Sequence, residues 1–227
     1  MGSKGNSQQY FPIVLRLFRE ALQLRRKVFT DAESSKLSIV TDTQRQWNFA
    51  ANDIVHALNI VGKCDAALLF LSDLVQSRRA TELDSERAMN LENIATTHAC
   101  ALGGDGKLAL ESILQAVQIR ERSLSDTVGD KSNKKATSAP DDQTAAASPS
   151  DGHRPVTKQK EQLLYTYITL WASAKRAGDL ATCDRAAKRT RDLYEEITEQ
   201  FASPTMSTWV SGKLEVVRSC SHAPAGS

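Results

Sequence analysis

Cysteine and histidine are the side chains best suited to nucleophilic or metal chemistry, and here both types are scattered. No Cys-x-x-Cys pair occurs, and no histidine stands at metal-ligand spacing from a cysteine; the residues are Cys64, Cys100, Cys183, Cys220, His56, His98, His153 and His222. His98 and Cys100 are two residues apart, on different faces of a helix, which disfavours a catalytic pair. The pattern predicts unpaired thiols in a reducing compartment, with no disulfide framework, metal or cofactor.

A glycine-rich stretch, Gly103-Gly104-Asp105-Gly106, is the remaining candidate for chemistry, because such loops can cradle phosphates. It lacks the Gly-Lys-Ser/Thr ending of a phosphate loop and follows a helical pattern instead of a strand. It therefore predicts a turn between two helices. No nucleophile with a base and no pair of catalytic carboxylates was found, so the chain is predicted not to be an enzyme.

Composition excludes several other classes of protein. The chain has 227 residues, 41% of them hydrophobic and 25% charged, which is typical of a globular protein. A net charge of +2 disfavours nucleic-acid binding, and no apolar run reaches the length of a transmembrane helix. We expect a cytoplasmic protein. The Arg-rich, acid-poor pattern near the N-terminus leaves a mitochondrial leader as the alternative.

Helical periodicity runs through every apolar stretch and predicts an all-α fold. The organising stretch is Ser85–Leu124, two amphipathic patterns joined by the glycine-rich turn. Thr43 with Gln46 suggests a capping box before another helix, and Asp84 or Ser85 a cap before the next. The predicted parts are a disordered tail (1–9), helical repeats (10–124), a disordered insertion (125–158), a hairpin plus closing helix (159–219) and a loose tail (220–227).

The predicted hairpins share a spacing. Gly62-x-x-x-x-Ala67, Gly104-x-x-x-x-Ala109 and Gly178-x-x-x-x-Cys183 each place a small residue five positions after a glycine, and Leu74, Ala116 and Thr190 follow seven residues later. Ile54-Val55, Ile94-Ala95 and Leu170-Trp171 match in the preceding helices. Leu22-Gln23-Leu24-Arg25, Val75-Gln76-Ser77-Arg78 and Val117-Gln118-Ile119-Arg120 align as ends of second helices. This pattern resembles the tetratricopeptide repeat, most closely the longer repeats of kinesin light chains.

The resemblance implies a right-handed superhelix of antiparallel helical hairpins, in which the first predicted helix is the second half of an incomplete repeat. It also implies a scaffold or adaptor that binds a protein or peptide in a concave groove. The groove residues implied by the alignment lie on the first helix of each hairpin: Phe49, Asn52, Asp53, His56, Asn59, Met89, Glu92, Asn93, Thr96, Ile168 and Lys175.

Two other functions remain open at the sequence level. Arginines recur at the ends of the second helices (Arg25, Arg78, Arg79, Arg120, Arg122 and Arg189) and suggest either helix-dipole partners or a basic ridge for an acidic partner or RNA. The chain could also be a structural subunit of a larger complex. Trp47, Tyr167, Trp171 and Trp209 are expected in the core more than in a groove.

Overall fold

The fold is helical throughout the part of the chain that the structure describes. The computed structural model describes residues 7–77, 83–136 and 154–200, together with Val217 and Cys220. The helices are α1 (Ser7–Ser34), α2 (Val40–Ile60), α3 (Cys64–Leu68), α4 (Leu71–Ser77), α5 (Asp84–Cys100), α6 (Gly106–Ala136), α7 (Arg154–Ala177) and α8 (Leu180–Gln200). These ranges contain no strand, and the predicted all-α class is confirmed.

The chain divides into two compact units between Asp105 and Gly106. This boundary falls inside the glycine-rich turn, whereas the sequence predicted a boundary at an insertion beginning at residue 125. The two helices of the predicted organising hairpin, α5 and α6, therefore belong to different units.

The first unit is built around α2, which packs against α1, α3, α4 and α5. Its core contains Trp47, Val55, Phe70 and Leu74, all buried. From α1, the Phe18 ring meets Phe70 edge-on at 6.3 Å between centroids, and Phe29 lies 5.6 Å from Trp47. The apolar positions of α1 and α2 that recur every three to four residues thus meet along one seam.

The second unit has α7 in the middle, between α6 and α8. Leu163 and Leu164 of α7 form its core with Leu193 and Ile197 of α8, and Leu124 of α6 packs against them. Trp171 is also buried, as is Trp47 in the first unit, which confirms the core assignment of both indoles. Trp209 lies outside the described residues.

The capping box predicted at Thr43 is wrong, because α2 already begins at Val40. The Thr43 hydroxyl instead donates to the carbonyls of Ile39 and Val40, at 3.2 and 3.0 Å, from inside the first turn. Likewise α5 begins at Asp84, so the residue at the capping position is Leu83, and no side-chain hydrogen bond caps the helix. The polar pattern alone did not locate these helix starts.

The helix predicted after Gly62 is divided into α3 and α4. The N–H groups of Leu69 and Phe70 donate to carbonyls three residues back, those of Ala66 and Ala67, at 3.2 and 3.0 Å. This tighter winding interrupts the α-helical ladder while leaving the Phe70 ring buried.

The predicted disordered insertion differs from the structure at both ends, since α6 continues to Ala136 and α7 begins at Arg154. Polar side chains join the two helices there: the Gln159 amide donates to Thr127 Oγ1 at 2.9 Å. Residues 137–153, most of the closing helix and nearly all of both tails lie outside the described residues.

Two disulfide bonds overturn the prediction of unpaired thiols. Cys64 at the start of α3 is bonded to Cys100 at the end of α5, with 5.9 Å between Cα atoms. Cys183 of α8 is bonded to Cys220, with 6.0 Å between Cα atoms. The partners are 36 and 37 residues apart, so the fold and not a short motif brings them together. The reducing compartment was inferred from unpaired thiols, so that inference no longer has support.

Glycine is required at three of the predicted turns. Gly62 and Gly178 have φ of 70° and 76°, the left-handed conformation that ends many helices. At Gly104 a Cβ atom would lie 2.1 Å from the His98 carbonyl oxygen.

The aligned positions of the three predicted hairpins share one pattern of burial. Ala67, Ala109 and Cys183, the small residues five positions after each glycine, are fully buried. So are Leu74, Ala116 and Thr190, seven residues further on. Positions aligned by sequence are therefore buried in all three places.

Candidate partner-binding site

The seam between α2 and α5 is a ladder of buried amides. Asn90 donates to the Asn48 side-chain oxygen at 3.1 Å, and Asn48 donates to the Ser77 hydroxyl of α4 at 3.2 Å. One turn along, Asn93 donates to the Asn52 side-chain oxygen at 2.7 Å. These amides replace the apolar contacts expected between packed helices, and their partners offset the cost of burying them.

The ladder continues to the far end of α2. The Asn59 amide donates to Thr97 Oγ1 at 3.0 Å and to the Asn93 carbonyl at 3.3 Å. His56 Nδ1 lies 3.2 Å from the Asn93 side-chain oxygen, the geometry of a hydrogen bond in which the ring donates. Since Asn93 touches both Asn52 and His56, it is the junction of the ladder.

Two of the predicted groove residues therefore have a different role. Asn52 and Asn93 are only 2% and 4% exposed, and they bond to each other across the seam. A ligand cannot contact them without separating the helices. Asn59 is half-buried and also belongs to the ladder. Sequence reasoning placed all three on the correct faces but could not tell a helix seam from a groove.

A surface accessible to a partner remains beside the ladder. Asp53 and His56 of α2 are exposed, and Phe49 is half-buried. On α5, the predicted groove residues Met89, Glu92 and Thr96 are half-buried. We call these six residues the α2–α5 face. It combines an aromatic ring and a thioether with two carboxylates, and His56 is the member that also bonds to the ladder.

One end of the α2–α5 face is held by Arg45. Its guanidinium lies 5.2 Å from the centroid of the Phe49 ring, and its Nε donates to the Glu86 carboxylate of α5 at 3.0 Å. The contact fixes the ring at the edge of the seam and joins the starts of both helices. Arg45 was not among the predicted site residues. Its position four residues before Phe49 places both side chains on one face of the helix, and this spacing could have indicated the contact.

The remaining predicted groove residues, Ile168 and Lys175, lie on α7 in the second unit. Ile168 is half-buried against the core of that unit. Lys175 is exposed, with its Nζ 5.3 Å from the centroid of the Trp171 ring. Ile168 thus serves packing, while Lys175 presents its charge beside an aromatic ring.

The arginines of the predicted basic ridge make specific hydrogen bonds. Arg25 of α1 donates to the Gln46 side-chain oxygen of α2, and Arg120 of α6 donates to that of Gln162 in α7 at 3.1 Å. In the repeat alignment the two arginines are equivalent, and so are the two glutamines, each eight residues before Ile54 or Leu170. The same bond therefore joins a second helix to the next first helix in both units.

The other ridge residues give no continuous basic surface among the described side chains. Arg189 contacts Glu196 at 2.9 Å, and Arg122 is exposed. Arg78 and Arg79 lie outside the described residues. The residue that corresponds to Gln46 and Gln162 in the middle repeat is Glu86.

A charged cluster joins the three helices of the second unit. The Tyr167 hydroxyl of α7 donates to the Glu121 carboxylate of α6 at 2.6 Å, and burial together with this bond raises the pKa of Tyr167. Lys160 and Arg189 both contact Glu196 of α8, at 3.2 and 2.9 Å. Although burial opposes the effect, these two cations lower the pKa of Glu196. The cluster keeps the phenol neutral and favours packing over acid–base chemistry.

His98 holds the turn after α5. Its Nδ1 accepts a hydrogen bond from the Asp105 backbone N–H at 3.1 Å, which requires that nitrogen to be unprotonated. Burial lowers the pKa of His98, and the nearby Asp105 carboxylate opposes the shift. The Asp65 carboxylate accepts from the Leu102 N–H at 2.8 Å. With Cys100 in a disulfide, the His98–Cys100 pair has no thiol that could act as a nucleophile.

Within the ranges that the structure covers, no three His, Cys, Asp or Glu side chains converge as metal ligands. No helix in those ranges has the length and apolar composition needed to cross a bilayer. Comparisons with protein-family models, with curated proteins and with solved structures found no match.

Proposed function

We propose that this chain is a non-enzymatic helical-repeat scaffold that binds a protein or peptide partner on the α2–α5 face. The observation that carries the proposal is the shared burial of aligned positions. Ala67, Ala109 and Cys183 are buried alike, and so are Leu74, Ala116 and Thr190. Common burial at common spacing is expected of tetratricopeptide-like hairpins, whose stacked units form a right-handed superhelix with an extended binding surface.

The chemistry of the α2–α5 face fits a short peptide or helix with an apolar anchor and a nearby cation. Phe49 and Met89 offer apolar contact, and Asp53 and Glu92 supply carboxylates beside them. The buried ladder beneath holds α2 and α5 in fixed register, so the face is preorganised and a ligand would not have to order it.

Binding to nucleic acid through the arginine ridge is a weaker proposal. Among the ridge residues, Arg25, Arg120 and Arg189 each have a side-chain acceptor. Each of these guanidinium groups would have to break its hydrogen bond within the chain before it could bind a phosphate.

The test compares partner capture by two variants with that by the wild-type chain. Changing Phe49→Arg, Asp53→Lys and Met89→Arg together reverses the chemistry of the face. The matched control changes Leu69→Arg, between α3 and α4, and Val75→Lys on α4; each of these residues is 52% exposed. Affinity purification from native cells with quantitative mass spectrometry should lose the specific partner with the face variant only.

The partner so identified should then bind purified wild-type protein, with at least roughly a tenfold weaker Kd for the face variant. Circular dichroism must show that both variants keep their helicity. Equal binding by the face variant and the control would refute the α2–α5 face as the site. Binding lost only on reversing Arg120 and Arg122 to Glu, with a steep salt dependence, would favour the ridge instead.

A further inference from the structure

Helix α1 exposes a continuous apolar stripe on one side. Ile13, Leu17, Leu24 and Val28 are between 49% and 65% exposed. Their spacings of four, seven and four residues put them on one face of the helix, about 22 Å long at 1.5 Å per residue. Ala21 lies in the same row, near its middle, and is also exposed. Leu22 and the half-buried Phe18 face the other way, into the core.

The repeat alignment shows what normally covers this side of a second helix. Four positions recur on the three complete hairpins: Ala67, Phe70, Leu71, Leu74; Ala109, Ser112, Ile113, Ala116; and Cys183, Ala186, Ala187, Thr190. None is more than 7% exposed. In the first hairpin these side chains share a core with Ile54 and Val55 of α2, and in the third Cys183 contacts the Trp171 carbonyl at 3.7 Å. In these two hairpins the first helix thus covers these positions.

On α1 the equivalent residues are Val14, Leu17, Phe18 and Ala21. Val14 and Leu17 are 37% and 52% exposed, and Ala21 is exposed as well. No helix within the described ranges covers Val14, Leu17 or Ala21, whereas Phe18 packs against Phe70. Leaving such a stripe in water forfeits the free energy that burial gives the other three hairpins.

We propose that a second copy of this chain covers the stripe, with the two α1 helices packed antiparallel around a two-fold axis near Ala21. The spacing is the same read from either end, so Ile13 would face Val28 and Leu17 would face Leu24 of the partner subunit. A two-fold interface requires this self-complementarity. The small side chain of Ala21 at the crossing point permits close approach of the backbones.

One ion pair lies beside the stripe: Arg16 and Glu20 are 3.4 Å apart on the same helix, so these two charges offset each other near its centre. The other cations of α1 (Arg19, Arg25, Arg26 and Lys27) are exposed, so two copies should repel each other at low salt and associate more strongly as salt screens them. Both proposals use the repeat alignment, but this surface is separate from the α2–α5 face, so the failure of one binding test leaves the other test unaffected.

Sedimentation equilibrium over the micromolar range tests the proposal. The wild-type chain of 24.9 kDa should reach twice that mass as concentration rises. Leu17→Glu with Leu24→Glu should raise the dimer dissociation constant by at least about 100-fold, because two buried leucines would become buried charges. The matched control, Ile60→Glu with Leu102→Glu, changes two residues that are 71% and 86% exposed and should dimerise as wild type does.

Cysteine cross-linking tests the antiparallel register. Leu17→Cys and Leu24→Cys chains should form a disulfide-linked dimer when mixed and little when oxidised separately. A wild-type chain that stays monomeric throughout would overturn the proposal, as would a dimer that the double Glu variant leaves intact. Cross-linking of Leu17→Cys to itself in preference to the mixture would overturn the antiparallel arrangement.

Discussion

Asn93 is the residue whose role differs most from that implied by its sequence position. It lies at a groove position of the repeat alignment, yet it joins Asn52, His56 and Asn59 in the seam between α2 and α5. Asparagines at helical spacing on two successive helices were visible in the sequence. What the sequence lacked was the distance between the helices, which decides whether an amide meets another amide or a ligand.

Replacing Asn93 with Ala should therefore destabilise the first unit. The substitution leaves the buried Asn52 side-chain oxygen without its 2.7 Å donor, and an unsatisfied buried polar group costs about 1–3 kcal/mol. Urea unfolding followed by circular dichroism measures the loss. Asp53→Ala, on the exposed side of α2, is the control and should stay within about 0.5 kcal/mol of wild type. An Asn93→Ala protein as stable as the control would show that the ladder contributes nothing.

His98 should make stability depend on pH. Its pKa is lowered in the folded chain, so the folded state favours the neutral ring that accepts from the Asp105 N–H. This contribution is present above the unfolded pKa of about 6.5 and is lost as pH falls through the lower folded value. Urea midpoints should therefore fall more on acidification in wild type than in His98→Gln, which cannot titrate. Parallel pH profiles of the two proteins would contradict this role.

At the scale of helices, periodicity was a better guide than polar signals. The apolar spacing located most of the helices and the buried face of α2, because burial of a stripe is what stabilises a helix in a protein. Helix ends were harder to predict. Thr43 looked like a capping residue but bonds inside the first turn, and the pattern after Gly62 gave no sign of the break at Leu69–Phe70. The apolar pattern of α1 did not show which side stays in water; the structure leaves Ile13, Leu17, Leu24 and Val28 exposed.

The recurring arginine–glutamine bond is a property of helix pairs, and a double-mutant cycle can measure it. Arg120→Met, Gln162→Leu and the combination should show a coupling free energy of about 0.5–1.5 kcal/mol. The equivalent cycle at Arg25 and Gln46 should give less, since that pair is more exposed. Unfolding by urea at fixed ionic strength provides the values. If the coupling at Arg120–Gln162 is zero, the bond does not hold Arg120 in place, and this arginine is again a candidate for the basic ridge.

For the molecule as a whole, the two disulfides follow the division into units. Cys64–Cys100 lies within the first unit and Cys183–Cys220 within the second. Sequence spacing could not reveal either pair, because partners 36 and 37 residues apart meet only in the folded chain.

Each disulfide should stabilise its own unit. Closing loops of this length removes chain entropy from the unfolded state, worth about 4 kcal/mol in the loop-entropy description. Cys64→Ser with Cys100→Ser should speed amide hydrogen exchange in α2 and α5 while leaving α7 as protected as in wild type. Cys183→Ser with Cys220→Ser should do the reverse, exposing α7 and α8. Peptide mass mapping without reductant first establishes that wild type carries both bonds. If either variant speeds exchange equally in α2 and α7, the chain unfolds as one cooperative body. In that case the two units on either side of the Asp105–Gly106 boundary have separate contacts but do not unfold separately.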